Sequence, residues 1–389
     1  MAVRSRRLLA LALLVVLLPH PAQADEAPAP VLLPGDDSTA ALLVWQRTFD
    51  PFGRDHDTSV VVRSRDEHPR TVAVARANGA TVVELPSGDP RTRPEVVPAG
   101  RVLAVGMPRG FAYALDVVRR GAEQQSGGYH AMPGKHYVAL YGHPGAPQLG
   151  VLGEQGPEAS VERVKKLAAS YRAAARKKVE FVPTFEIITT VAAAGKGKDG
   201  DYSREAPIKD LLPMIDAAEK AGVYVILDLQ PGRADFLAQA KEYEPLLRRP
   251  HVGLALDPEW RLTKKQKPLQ QIGSVKASEI NRTSTWLAAL TRKHHLPQKL
   301  FVLHQFSTSM ITDRSRVDTS HPELATVIHV DGSGPQGAKR GTWNHLRQDP
   351  PPGLAGWGWK NFIDEDEPIL TADQTWRRVK PHPDLITYQ

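Results

Sequence analysis

The sequence predicts an α/β protein built around a C-terminal (β/α)8 barrel, residues 136–389, with a small α/β region at 41–130 before it. Eight short apolar runs follow one another in the C-terminal part, each continuous rather than alternating, as strands buried on both faces should be. The spacers read mostly as amphipathic helical repeats, two of them opening at proline (Pro157, Pro207) and one stopping at Gly222. The span also agrees with the roughly 250 residues that eight β/α units occupy.

At the N-terminus, Arg4, Arg6 and Arg7 precede the apolar run Leu8 to Leu18, followed by Pro19, Pro21 and the triplet Ala22, Gln23, Ala24. That order of charge, apolar run and small residues is the order of a secretory signal peptide over residues 1–24. The apolar run falls short of the about 20 residues that cross a bilayer, so export without a permanent membrane anchor is expected; an uncleaved anchor is the alternative. Residues 25–40, rich in Pro, Ala, Asp and Glu, are expected to form a flexible leader.

In the region 41–130, Leu42 to Trp45 and Ser59 to Val62 are apolar or β-branched runs, and Thr71 to Asn78 has helical spacing. Ala80 to Leu85 and Arg101 to Gly106 follow as strands, and Arg109 to Gly121 as a helix ending at glycine. The stretch TVAVARANGATVVEL, followed by VLAVGMP, resembles the actinobacterial cell-wall-binding repeat of the second type. That family comes as tandem copies, and part of one copy is visible here. Gln124 to Lys135, with its glycines and proline, marks the boundary to the barrel.

The barrel runs are Tyr137 to Tyr141, Val179 to Pro183, Val223 to Leu227 and Val252 to Leu256, then Leu300 to Leu303, Ala325 to Ile328, Leu354 to Gly358 and Leu385 to Tyr388. Helical spacing fills Pro157 to Lys178, Pro207 to Ala221 and Ser278 to His295. A barrel of the TIM type accounts for both count and length; an open doubly wound sheet is the alternative, but eight consecutive parallel strands are many for one.

Composition narrows the function. The chain has no cysteine, which removes disulfides, thiol catalysis and thiolate metal sites. With 41% apolar and 24% charged residues it is globular. The formal charge of +7 falls to +4 without the three signal-peptide arginines, and the basic residues are scattered, with only short runs at Arg176 to Lys178 and Lys264 to Lys267. No nucleic-acid partner is expected, and the protein is expected to be a monomer.

Barrels of this kind place their chemistry at the C-terminal ends of the strands. Those positions carry His143, Glu186, Asp228 and Gln230 on the first three strands, then Asp257, Glu259 and Trp260. They continue with His304, Gln305, His329, Asp331, Trp357, Trp359 and Lys360. Carboxylates suit acid–base work and flat indoles suit the faces of sugars. In LALDPEW, Asp257 and Glu259 are two apart on what is expected to be extended chain, so their side chains point the same way and divide the labour as their pKa values separate. Asp257 capping a loop and Glu259 in a surface ion pair is the structural alternative. Glu186 and Asp228 are the other candidates for the second carboxylate, or else helix-capping and loop-bonding groups.

This part of the chain resembles a glycoside-hydrolase barrel, and is similar to the bacterial and phage muramidases that carry an acidic D-x-E pair on a barrel strand. The likeness runs over the strand rhythm, LALDPE and GWGWKNF. It departs at the first strand, where that family has an aspartate and this chain has YVALYGHPG. The resemblance implies cleavage of a glycosidic bond in a wall polysaccharide, with Glu259 as the acid and Asp257 assisting.

Two further function classes stay open. One is a barrel that binds glycan without cleaving it. The other is a metal-dependent hydrolase using His143, His304 and His329 with Asp257 or Asp331, although neither H-x-H nor H-E-x-x-H spacing occurs. No cofactor is expected: the glycine-rich segments lack the phosphate-binding patterns, and no G-x-S-x-G elbow is present. Trp357 and Trp359 alternate with glycine, so both face one side of a strand, either as a sugar platform or in the core.

Overall fold

The computed structural model describes residues 27–49, 57–176 and 179–389. The expected signal peptide, residues 1–24, lies outside them. Four parallel strands form the N-terminal sheet: β1 (Val31–Leu33), β2 (Thr58–Val62), β3 (Thr81–Glu84) and β4 (Arg101–Val105), in the order β1-β4-β2-β3. Helices α1 (Asp37–Thr48) and α2 (Pro69–Ala77) enclose one apolar cluster that includes Leu33, Val44, Val60, Ala75 and Leu103. Helix α3 (Phe111–Arg120) covers the other face, where Phe111 and Leu115 meet Val61, Val102 and Ala104. Covering on both faces is what lets this sheet be parallel.

Residues 25–40 are not a leader throughout. Val31–Leu33 pairs with Leu103–Val105, and Asp36 caps α1 by accepting from the Thr39 amide at 2.8 Å. The run Leu42 to Trp45 lies inside α1 rather than in a strand, because that cap starts a helix five residues earlier.

The C-terminal part is a closed, all-parallel eight-stranded α/β barrel. Its strands are β5 (Lys135–Gly142), β6 (Glu180–Ala192), β7 (Tyr224–Leu229), β8 (Val252–Leu256), β9 (Lys299–His304), β10 (Leu324–Val330), β11 (Gly356–Asn361) and β12 (Leu385–Tyr388). Closure comes from β12, where Leu385 to Tyr388 pair with Tyr137 to Leu140 of β5. The crossovers carry α4 (Pro157–Ala175), α5 (Ile208–Ala221), the short α6 (Phe236–Glu242) and α7 (Glu244–Leu247), α8 (Ala277–Lys293), α9 (Gln336–Leu346) and α10 (Ala372–Arg378). Between β9 and β10 the chain makes only 3-10 turns and a two-residue strand, Ile311–Thr312, that pairs with Val275–Lys276.

Alternation along each strand divides the barrel into two environments. Val138, Leu140, Val225, Leu227, Phe301 and Leu303 point outward to the helices. Tyr137, Ala139, Tyr224, Ile226, Leu300 and Val302 point inward and fill the lower interior. The N-terminal end is plugged by Ala131 and Met132, and the Tyr137 hydroxyl donates to the Ala131 carbonyl at 3.0 Å. The N-terminal sheet docks at this same closed end. The Tyr113 hydroxyl donates to Leu296 O at 2.8 Å, Arg91 Nη1 donates to Pro322 O at 2.9 Å, and His295 contacts Asp116.

Candidate functional site at the C-terminal end of the barrel

Two residues beyond the apolar inward layer, every strand presents a polar side chain. Tyr141, Glu186, Asp228 and Asp257 follow Ala139, Thr184, Ile226 and Ala255. On the other half, His304, His329, Lys360 and Thr387 follow Val302, Val327, Gly358 and Leu385. All eight are buried. A layer of ionisable groups inside a closed barrel is costly unless its members hold one another by hydrogen bonds and opposite charge.

His304 is the hub. Its Nδ1 lies 2.8 Å from Asp331 Oδ2 and its Nε2 lies 2.8 Å from Glu186 Oε1, with Asp228 Oδ1 at 4.0 Å. Burial alone would drive the imidazole neutral, but Glu186, Asp228 and Asp331 outweigh it and hold its pKa well above the ordinary value. The reciprocal effect holds Asp331 below the usual carboxylate range, against its own burial. His329 behaves oppositely. Burial and the neighbouring His304 charge push it well down, and its Nε2 lies 3.1 Å from the Thr387 hydroxyl.

On the opposite side, the Tyr141 hydroxyl donates to Asp228 Oδ2 at 2.8 Å, and Lys360 Nζ sits 3.5 Å from the centre of the Tyr141 ring. Burial and the Glu186 charge raise Asp228 to about 6. Asp257 is raised further, first by burial and then by Asp228 and Asp331. Glu259 is half-buried; its burial and the Asp331 charge raise it to about 7.

The extended D-x-E expected from the sequence is not formed. Strand β8 ends at Leu256, and Pro258–Trp260 makes a 3-10 turn capped by Asp257 Oδ1, which accepts from the Glu259 amide at 3.2 Å. Aspartate before proline is a favoured turn start, and it keeps Asp257 in the barrel while lifting Glu259 and the half-buried Trp260 to the rim.

Other expected site residues are placed elsewhere. Trp357 and Trp359 point outward into the core beneath α9. Trp359 is buried edge-on against Trp343 with ring centres 5.7 Å apart, and Trp357 lies 6.3 Å from the same ring. Trp359 is a core residue and the half-buried Trp357 packs against the same cluster; neither faces the polar layer. Their strand neighbour Gly358 faces inward, where a Cβ would stand 2.4 Å from His329 Cδ2. His143 is half-buried on the following loop and bonds Ile188 O through Nδ1 at 2.8 Å, away from the polar layer. Gln305 bonds Ser307 O and accepts from Arg314, holding the loop after β9. Gln230 accepts from the Ala192 amide at 3.2 Å and reaches the Tyr141 hydroxyl at 3.4 Å, so it supports Asp228 at one remove. Tyr141 and Thr387 were not singled out from the sequence; continuing the inward phase of β5 and β12 by one more step would have found both.

Compared with known protein families and with curated proteins, the chain matches none. The chemistry available therefore follows from the site alone. It offers a protonatable carboxyl at the rim and, beneath it, the oppositely charged His304–Asp331 pair, two carboxyls raised by burial, and a neutral imidazole.

Proposed function

We propose that the protein is a hydrolase that cleaves glycosidic bonds of an extracellular or cell-wall polysaccharide by carboxylate acid–base chemistry. The observation that carries this reading is the split between two carboxyl groups of one barrel end. Glu259 at the rim is raised to about 7, and Asp331, paired with His304, is held ionised. A carboxylic acid that keeps its proton near neutral pH beside a carboxylate that does not is the division of roles glycoside hydrolysis requires. Glu259 is the general acid, protonating the leaving oxygen. Asp331, whose charge is the strongest electrostatic influence raising Glu259, is the ionised partner. Trp260 beside the acid offers the one aromatic surface from the expected set that lies at the rim. The arginine-led, proline-ended N-terminal segment supports a substrate outside the cell.

Sugar release from purified cell wall and a panel of polysaccharides tests this. The unaltered protein should release reducing ends, and its rate should fall about tenfold per pH unit above about 7 as Glu259 loses its proton. Glu259→Gln should lower turnover by roughly 10²–10⁴-fold without loss of folding. Undiminished release by that variant would remove Glu259 from the mechanism. Sedimentation of both proteins with the wall, without release, would favour the binding reading.

A further inference from the structure

Below the rim, the polar layer contains acceptors with nothing to accept from. Glu186 Oε2, Asp228 Oδ1 and His329 Nδ1 are buried and have no hydrogen-bond partner. His329 Nδ1 and Glu186 Oε2 face each other at 4.0 Å, too far for a hydrogen bond. Nε2 is held 3.1 Å from the Thr387 hydroxyl, and in the tautomer that carries its proton there Nδ1 turns a lone pair toward that carboxylate oxygen. Two facing acceptors in a dry interior repel unless something positive lies between them.

The geometry points to a divalent transition-metal site made by Glu186, His304 and His329. One ligand atom from each lies within 4.8 Å of the other two, near enough for the three side chains to converge on one ion. Tetrahedral bonds of about 2.0–2.1 Å place ligand atoms about 3.3–3.4 Å apart, so His329 Nδ1 and Glu186 Oε2, 4.0 Å apart, close by about 0.6 Å on the ion. Two histidines and one carboxylate are a donor set for zinc, iron or cobalt rather than for calcium or magnesium.

The surrounding groups already fix the ligands as metal sites do. Asp331 accepts from His304 Nδ1 and orients its Nε2 inward; Thr387 does the same for His329; Gly358 leaves the space in which the His329 ring stands. Binding displaces the His304 Nε2 proton to solvent, and the Glu186 oxygen that accepted it turns to the ion. Asp228 Oδ1, 4.0 Å from His304 Nε2, offers a further oxygen. This site shares Asp331 with the proposed glycosidic machinery and Asp228 with its candidate carboxylates, but its three ligands lie beneath Glu259 and Trp260, so ion binding is measured directly and apart from sugar release.

The test uses the full chain, stripped with a chelator and dialysed against Zn²⁺ or Co²⁺ at micromolar free concentration. One ion per chain and a visible Co²⁺ absorption band of nitrogen–oxygen ligation are expected. His329→Gln should weaken binding at least about 100-fold, since loss of an outer-shell partner alone costs about 10–100-fold. Thr387→Val, which keeps the side-chain shape and removes the orienting hydroxyl, should weaken it about tenfold with an unchanged melting curve in the stripped protein. Asp201→Asn, in the separate, partly exposed acidic group of Asp199, Asp201 and Glu205, should change nothing. Failure of the unaltered protein to take up an ion, binding that survives His329→Gln, or binding abolished by Asp201→Asn would each overturn the assignment. Whether sugar release, if present, survives chelation is scored separately and bears only on Glu259 chemistry.

Discussion

Lys299 offers a test of how the barrel interior treats charge. It opens β9 at the closed end, is fully buried, and donates from Nζ to Arg249 O at 2.8 Å and Val252 O at 2.7 Å. Among the described residues no carboxylate pairs with it; the charged or titratable groups facing it are His251 and Arg249. Burial therefore acts unopposed and lowers the ammonium to about 7 from an ordinary 10.5. A folded-state pKa below the unfolded value means that, above about pH 7, the unfolded chain holds a proton the folded chain has shed. Stability from this group consequently rises with pH across that window and is lost as pH falls through 7. The full slope is about 1.4 kcal/mol per pH unit, and the group is half-titrated at 7, so the gain between pH 7 and pH 9 is about 2 kcal/mol. His251, held down near 4, and the raised phenols of Tyr137 and Tyr224 titrate outside the window. Lys299→Met keeps the length and removes the charge. Urea unfolding of both proteins at pH 7 and pH 9, with matched m-values, should show the unaltered protein gaining about 2 kcal/mol over the variant. A difference that stays constant within about 0.5 kcal/mol would mean that the ammonium is retained in the fold, and the argument from burial would fail.

Three further outcomes follow from the same structure. Gly358→Ala puts a Cβ 2.4 Å from His329 Cδ2 and should cost about 1–3 kcal/mol in chemical denaturation while weakening ion binding, because the ring must move. Trp359→Ala should cost about 3–5 kcal/mol and leave the affinity for any released or bound glycan unchanged, since the indole lies between β11 and α9. Tyr141→Phe removes the donor to Asp228 Oδ2 and should cost about 1.5–3 kcal/mol by urea unfolding at pH 8. The loss should shrink toward pH 5, where the stranded carboxylate takes up a proton.

The barrel was legible because its strands are buried on both faces, so the sequence writes each as an unbroken apolar run that needs no periodicity to find. The strand Val31–Leu33 was not. Three apolar residues hemmed in by Pro28, Pro30 and Pro34 are too short a run to mark a strand, and what holds them is β4, some seventy residues later. The start of α1 was lost for a related reason: Asp36 and Asp37 look like solvated chain until one of them caps a helix. The fifth crossover makes only 3-10 turns and the two-residue strand Ile311–Thr312, consistent with the absence of apolar repeats between Phe306 and Glu323.

The site shows what an apolar run conceals. Within such a run both phases are hydrophobic, so the sequence does not mark inside from outside until the run ends. At its end the phases separate. The segments YVALY, YVILD, LFVLH and ATVIH each close on a polar residue in register with the inward Tyr, Ala, Ile, Leu or Val two and four places before it. Counting back by twos from Asp228, His304 and His329 therefore names the layer, and counting forward from Ala139 reaches Tyr141. The same count applied to GWGWK puts Lys360 with Gly358 on the inside and the two indoles on the outside. Chemical type alone leaves Trp357 and Trp359 open between sugar platform and core; phase turns both away from the polar layer, because a strand in a closed barrel gives each side chain only one of two directions. The glycine is the informative residue of that pair, since a smaller inward side chain is what a neighbouring histidine ring requires.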